Sequence, residues 1–249
     1  MSDAVVELKE ITNSIILVKM QDRVSKNTFS DELSKSLINS FEQIKVQNQY
    51  KVVILTGYDS YFASGGTQEV LLTLSEGKAR FTDTDLYSLA LHCPIPVISA
   101  MQGHGIGGGF TMGMFADFVI FSRESIYATN FMKYGFTPGM GSTCILPRKL
   151  GIGLAQEMMF TARTYRGDEL QKRGLAFPVL PRNEVVEYAI EMAVTLAEKP
   201  RISLVTLKDH MVDPIRKELP VIIDQEVKMH EKTFHLPEVK DRIRTAFGN

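Results

Sequence analysis

The sequence predicts an α/β core followed by a helical tail, on three observations. Apolar strand-like segments alternate with amphipathic helical ones through the first two thirds of the 249 residues. Two glycine-rich turns each lie between a strand and a helix, and after about residue 183 only helical periodicity remains. In chain order, strands are expected at residues 5–8, 14–20, 51–56, 96–101, 117–121 and 126–129. The first helix is read from Leu33, Leu37, Phe41 and Ile44, which recur at steps of three and four after polar Thr28 and Ser30 and a first turn holding Asp31 and Glu32. The strand at 51–56 runs into Thr56-Gly57, then Tyr61-Phe62-Ala63-Ser64-Gly65-Gly66-Thr67, then a helix over 68–74. The strand at 96–101 runs into Gln102-Gly103-His104-Gly105-Ile106-Gly107-Gly108-Gly109-Phe110-Thr111 and an apolar helix. Val185, Ala189, Met192 and Leu196 begin the helical tail. The expected division is a core over 1–182 and a helical region over 183–249.

Bulk properties exclude several classes. A net charge of -1 gives no general attraction to nucleic acid or anionic lipid. Cys93 and Cys144 lack the neighbours of a metal or redox motif and are read as reduced, structural residues. The first twenty residues, acidic at Glu7 and Glu10, lack the basic start and apolar run of a signal peptide, and no later run is long enough to span a bilayer. A cytoplasmic protein without a membrane or nucleic-acid partner is expected. Gly103-x-Gly105-x-x-Gly108 fits a dinucleotide fingerprint. Such a unit usually opens its domain and ends its second strand on an acid. Here the run lies deep in the chain and the next strand carries its acid, Asp117, at the wrong end.

The two glycine turns suggest different chemistry. If they meet in space, each offers one backbone N–H to a single oxygen, and two converging donors stabilise a thioester carbonyl as it becomes an enolate. Either turn taken alone reads first as a tight turn without a ligand, and only the pair together favours a site.

The segments Asp22-Arg23-Val24-Ser25-Lys26-Asn27-Thr28-Phe29-Ser30, Phe62-Ala63-Ser64-Gly65-Gly66, Gly103 to Gly109, Ala116-Asp117 and Tyr134-Gly135-Phe136-Thr137-Pro138-Gly139-Met140-Gly141 together resemble the crotonase (enoyl-CoA hydratase/isomerase) superfamily. The resemblance implies a ClpP-like spiral of ββα units with a C-terminal helical region, an oxyanion hole from the N–H groups of Gly66 and Gly108, and a homotrimer or dimer of trimers. Thr111 and Phe131 stand where hydratases of the family carry their two glutamates. Neither manages a water near neutral pH, so hydration is not expected.

The segments around Gln102, Tyr127 to Pro138 and Glu226 to Phe234 look like the decarboxylating crotonases of polyketide β-branching. Those enzymes take 3-methylglutaconyl on an acyl carrier protein, release carbon dioxide and leave 3-methylcrotonyl, with no cofactor beyond the phosphopantetheine that carries the substrate. The resemblance gives the working side chains as a histidine of the C-terminal region, matched by His230, and a lysine after the first oxyanion loop. Leu74 holds the lysine's usual place, and Lys78 lies one turn further, either reaching the same pocket or, with Gly77 able to end the helix before it, standing as a solvated surface lysine. Arg80 is the fallback cation. His230 lies on an apolar stripe with Ile223, Val227 and Phe234, where it is a proton donor, a carboxylate holder or a core histidine. Thr111 and Phe131 are expected to contact substrate, and His104, beside the glycine loop, either to contact it or only to pack. A double-bond isomerase of the same superfamily and a non-catalytic scaffold or RNA-binding member are the alternatives. The latter predicts a basic helix that residues 29–45, with Lys35 and Lys45 against Asp31, Glu32 and Glu42, do not supply.

Overall fold

The alternation of strands and helices folds as two sheets, described over residues 4–248 by a computed structural model. The main sheet holds β1 (Val6–Thr12), β2 (Ile15–Met20), β3 (Val52–Thr56), β5 (Val97–Met101), β7 (Phe118–Ser122) and β10 (Val179–Leu180), in that spatial order. The smaller sheet holds β4 (Tyr61–Ala63), β6 (His104–Ile106), β8 (Ile126–Ala128) and β9 (Thr164–Arg166). β1 and β2 form an antiparallel hairpin, and from β2 to β10 the main sheet is parallel. Parallel strands are covered on both faces, which explains why β3 and β5 read as unbroken apolar runs and are buried throughout.

Among the described residues ten α-helices follow or flank these strands: α1 (Asp31–Lys45), α2 (Gln68–Ser75), α3 (Leu89–His92), α4 (Gly108–Met114), α5 (Ser142–Leu150), α6 (Ile152–Thr161), α7 (Gly167–Lys172), α8 (Val185–Ala197), α9 (Arg201–Thr233) and α10 (Pro237–Ala246). α1 starts as expected: the Ser30 hydroxyl accepts from the Leu33 N–H, and Leu33, Leu37, Phe41 and Ile44 are buried. Each such apolar side chain contributes about 1.5–3 kcal/mol when fully buried.

The unit β3–β4–α2 recurs as β5–β6–α4 and β7–β8–α5, each stepping from the main sheet to the small one and then into a helix. This is the spiral of ββα units that the resemblance implies. β4, β6 and β8 pair in parallel, with Tyr61 opposite His104 and Gly105 opposite Tyr127. That pairing lays the turns after β4 and β6 side by side.

The C-terminal helices have different jobs. α8 buries Val185, Ala189 and Ala193 against Ile15, Leu17, Val52, Ile54 and Ile98, so it covers one face of the main sheet. α9 is tied to the core by Lys208, whose buried ammonium donates to the carbonyls of Ala90 (2.8 Å) and Ile95 (3.0 Å) and pairs with Asp117 at 2.7 Å. α10 sets Val239 and Ile243 into a cluster with Phe131, Phe136 and Phe234. Among the described residues no helix is long and apolar enough to cross a membrane.

Candidate active site

The two glycine turns meet. A Cβ built on Gly65 would lie 3.5 Å from the amide nitrogen of Gly108. The close approach depends on Gly109, where a Cβ would stand 2.3 Å from the carbonyl oxygen of Ala63. Only a residue without a side chain lets α4 lie that near to the end of β4. The Gly66 and Gly108 N–H groups meet no acceptor among the described residues, and Gly108 opens α4, whose terminus favours negative charge.

Beside these donors is a mainly apolar cavity of about 260 Å³, walled by Phe29, Val70, Leu71, Phe131, Met140 and Phe234 together with Gly66. A smaller cavity of about 210 Å³ adjoins it, and Leu74, Arg80, Phe81, His230 and Phe234 line both. His230 is enclosed by aromatic rings, with Phe81 at 4.9 Å, Phe234 at 5.1 Å and Phe136 at 5.8 Å between centroids. Its Nε2 lies 2.7 Å from the Thr137 carbonyl oxygen. A carbonyl only accepts, so Nε2 carries the proton and the neutral ring has its lone pair on Nδ1. Burial pushes the His230 pKa down to about 4, against the opposing effect of that carbonyl. The ring is therefore neutral at pH 7 in the free protein.

The structure sorts the expected site residues. Gly66, Phe131 and His230 line the main cavity, and Gly108 stands behind Met140, whose Sδ lies 2.4 Å from where a Cβ on Gly108 would be. Lys78 does not face the cavity, which corrects the expectation that it continues the face of Leu74. α2 stops at Ser75, Gly77 turns at φ 70°, and the Gly77 and Lys78 N–H groups donate back to Leu74 (3.0 Å) and Thr73 (3.1 Å). These are the paired bonds of a Schellman cap, which redirect the chain after the helix. The Lys78 side chain is 71% exposed and pairs with Glu76 at 2.8 Å. Arg80, two residues on, reaches the cavity wall instead.

His104 and Thr111 are also corrected. His104 lies in β6, its Nδ1 accepting from the Ile126 N–H at 2.9 Å, and it lines neither cavity. Thr111 is buried inside α4 and donates to the Gly107 carbonyl at 3.2 Å, which makes it a helix-packing residue. Phe234, on the stripe of His230, and Phe136, in the segment before the Pro138-Gly139 turn, also wall the cavity, and so does Phe81, for which the sequence carried no signal.

The fold and the pair of converging amides define a class. The chain belongs to the enoyl-CoA hydratase/isomerase family, whose model matches residues 10–247. Over its whole length, and the whole length of the relative, it is 65% identical to the bacillaene synthase decarboxylase PksI of Bacillus subtilis (strain 168). A solved structure from work on a dehydratase/decarboxylase enzyme couple in polyketide β-branching superposes with a TM-score of 0.97 at 65% identity, over 98% of this chain and 100% of that one. The ECH2 decarboxylase domain of CurF from Lyngbya majuscula gives a TM-score of 0.94 at 46% identity, again over 98% and 100%.

Proposed function

We propose that the protein decarboxylates a 3-methylglutaconyl thioester to 3-methylcrotonyl during polyketide β-branching, with the acyl group presented on the phosphopantetheine of an acyl carrier protein. The observation that carries this reading is the pair of free N–H groups, Gly66 and Gly108, beside a cavity that holds no carboxylate able to activate water at the two hydratase positions.

The electron flow needs only the substrate and these groups. The bond between the carboxylate carbon and the γ carbon breaks, and carbon dioxide leaves. Its electron pair moves through the double bond to the thioester oxygen, where Gly66 and Gly108 stabilise the dienolate. A proton delivered to the γ carbon restores a neutral thioester and places the double bond next to the carbonyl. No redox change occurs.

Arg80 is the cation that recognises the substrate carboxylate. A cation held on that group stabilises the ground state more than the transition state, so Arg80 selects and orients rather than accelerates. The carboxylate, once bound near His230, raises the pKa of the ring and recruits a proton to it. Departure of carbon dioxide removes that negative charge, and the ring's pKa falls again as the dienolate needs its proton.

The first test is mass spectrometry of purified protein with 3-methylglutaconyl on carrier protein and on coenzyme A. Loss of the mass of carbon dioxide is expected, faster on the carrier protein. Water addition to a crotonyl thioester at a comparable rate would overturn the reading. Arg80→Ala is expected to raise KM and lower turnover together by roughly tenfold to a hundredfold, the worth of a charge-assisted hydrogen bond. Lys78→Ala should change both by no more than about fivefold, since it removes only a solvated surface pair. The reverse ranking would return the role to Lys78.

The protein also works as a homotrimer or a dimer of trimers, completed by the helical region over 183–249. In support, Ile202, Leu207 and Met211 of α9 are exposed beside an apolar groove of about 380 Å³ lined by Phe118, Leu204 and Met211. A monomer by light scattering at micromolar concentration would oppose this.

A further inference from the structure

Glu226 is a fully buried carboxylate that the chemistry above does not use. It lies on α9 one turn before His230. One oxygen accepts from the Gly141 N–H at 2.8 Å, and the other accepts from the N–H (2.9 Å) and hydroxyl (2.6 Å) of Thr143. Three donors on one carboxylate are what allow it to be buried at all.

The segment these donors belong to, residues 137–143, is held to the same face of α9 at two further places. His230 donates to the Thr137 carbonyl, and the Thr137 N–H donates to the Thr233 hydroxyl at 3.3 Å. The segment needs such anchors because Met140, a residue with a Cβ, sits in the left-handed region at φ 60°. It also touches both halves of the site, through the Thr137 carbonyl at His230 and through Met140 against Gly108.

We infer that Glu226 is a positioning residue, whose carboxylate sets segment 137–143 so that Thr137 fixes the tautomer of His230 and Met140 lies over the oxyanion glycine. The inference rests on the reading of His230 and Gly108 as site residues. Glu226→Gln retains the size of the side chain but turns an amide NH₂ toward N–H and O–H donors, so at least one anchor is lost.

Two measurements on the full-length protein test it. Turnover of Glu226→Gln is expected to fall by about tenfold to a hundredfold with KM changed less than about threefold, as expected when reacting groups are misplaced but binding persists. The ¹⁵N spectrum of His230 is expected to change from a single Nε2–H tautomer to a mixture. Thr143→Val, which removes only the hydroxyl donor, should move both readouts the same way by a smaller amount, and it decides the matter if Glu226→Gln does not fold. A folded Glu226→Gln, or failing that Thr143→Val, with wild-type kcat and an unchanged tautomer signal would overturn the proposal. The spectrum does not depend on turnover, so a wild-type protein that fails to decarboxylate would defeat the proposed reaction while the tautomer still decides the role of Glu226.

Discussion

His230→Ala is expected to lower turnover by about a hundredfold to ten-thousandfold, the range for loss of a positioned acid or base. Among the described residues His230 is the one histidine on the wall of the main cavity, and no hydrogen-bond partner reaches its Nδ1. The alanine variant also loses the bond to Thr137, so lowered stability alone is a competing cause. His230→Gln separates the two: its amide can still donate to the Thr137 carbonyl but cannot relay a proton. Melting temperature is expected to recover in the glutamine variant while turnover does not. Recovery of both would make the histidine structural.

The same residue gives a pH dependence with a defined sign. The folded pKa of about 4 lies below the ordinary value of 6.5, so between those values the unfolded chain binds more protons than the folded one. Stability then rises with pH across that window and gains nothing further from this group above it. Melting curves from pH 4 to 7 should slope more steeply for the wild type than for His230→Gln. Equal slopes would mean that the ring is not buried in its neutral form.

Much of this site was legible in the sequence because glycine and apolar periodicity report backbone constraints directly. The turns at Gly66 and Gly108, the cap at Ser30 and the stripe carrying His230 are all local signals, and each stands where its local pattern put it. What the sequence concealed was set by long-range pairing. β4 and β6 span three residues each, too short for an alternating pattern, yet their pairing is what brings the two turns together. Lys78 was misplaced because counting residues four apart assumes that the helix continues, and Gly77 ends it. Arg80 lies beyond that cap, where no periodicity applies. His104 and Thr111 sit next to the glycine run in sequence, but strand and helix geometry turn their polar atoms to backbone partners. Glu226 opens a segment that carries the family resemblance, but its role was hidden, since its donors lie more than eighty residues earlier in the chain.

Gly108→Val is expected to reduce turnover by about a hundredfold to a thousandfold in a protein that still folds, because it removes the use of one oxyanion donor, worth about 2.7 to 4 kcal/mol of barrier. The nearest atoms to a new Cβ are Met140 Sδ at 2.4 Å, Met140 Cε at 3.0 Å and Phe29 Cε2 at 3.2 Å, all in side chains. Met140 is unbranched and can move aside, so the backbone survives. The displaced thioether and the branched valine then take space beside the Gly66 and Gly108 amides that the thioester oxygen requires. Gly109→Val provides the contrast. Its Cβ would meet the Ala63 carbonyl oxygen at 2.3 Å, a backbone atom held by the smaller sheet, so that variant should lose its fold rather than its chemistry. The measurement is circular dichroism melting alongside single-turnover decarboxylation for both variants. A folded Gly108→Val protein with near-normal turnover would mean that this glycine serves packing against Met140 and Phe29, and the oxyanion would then have to be stabilised elsewhere.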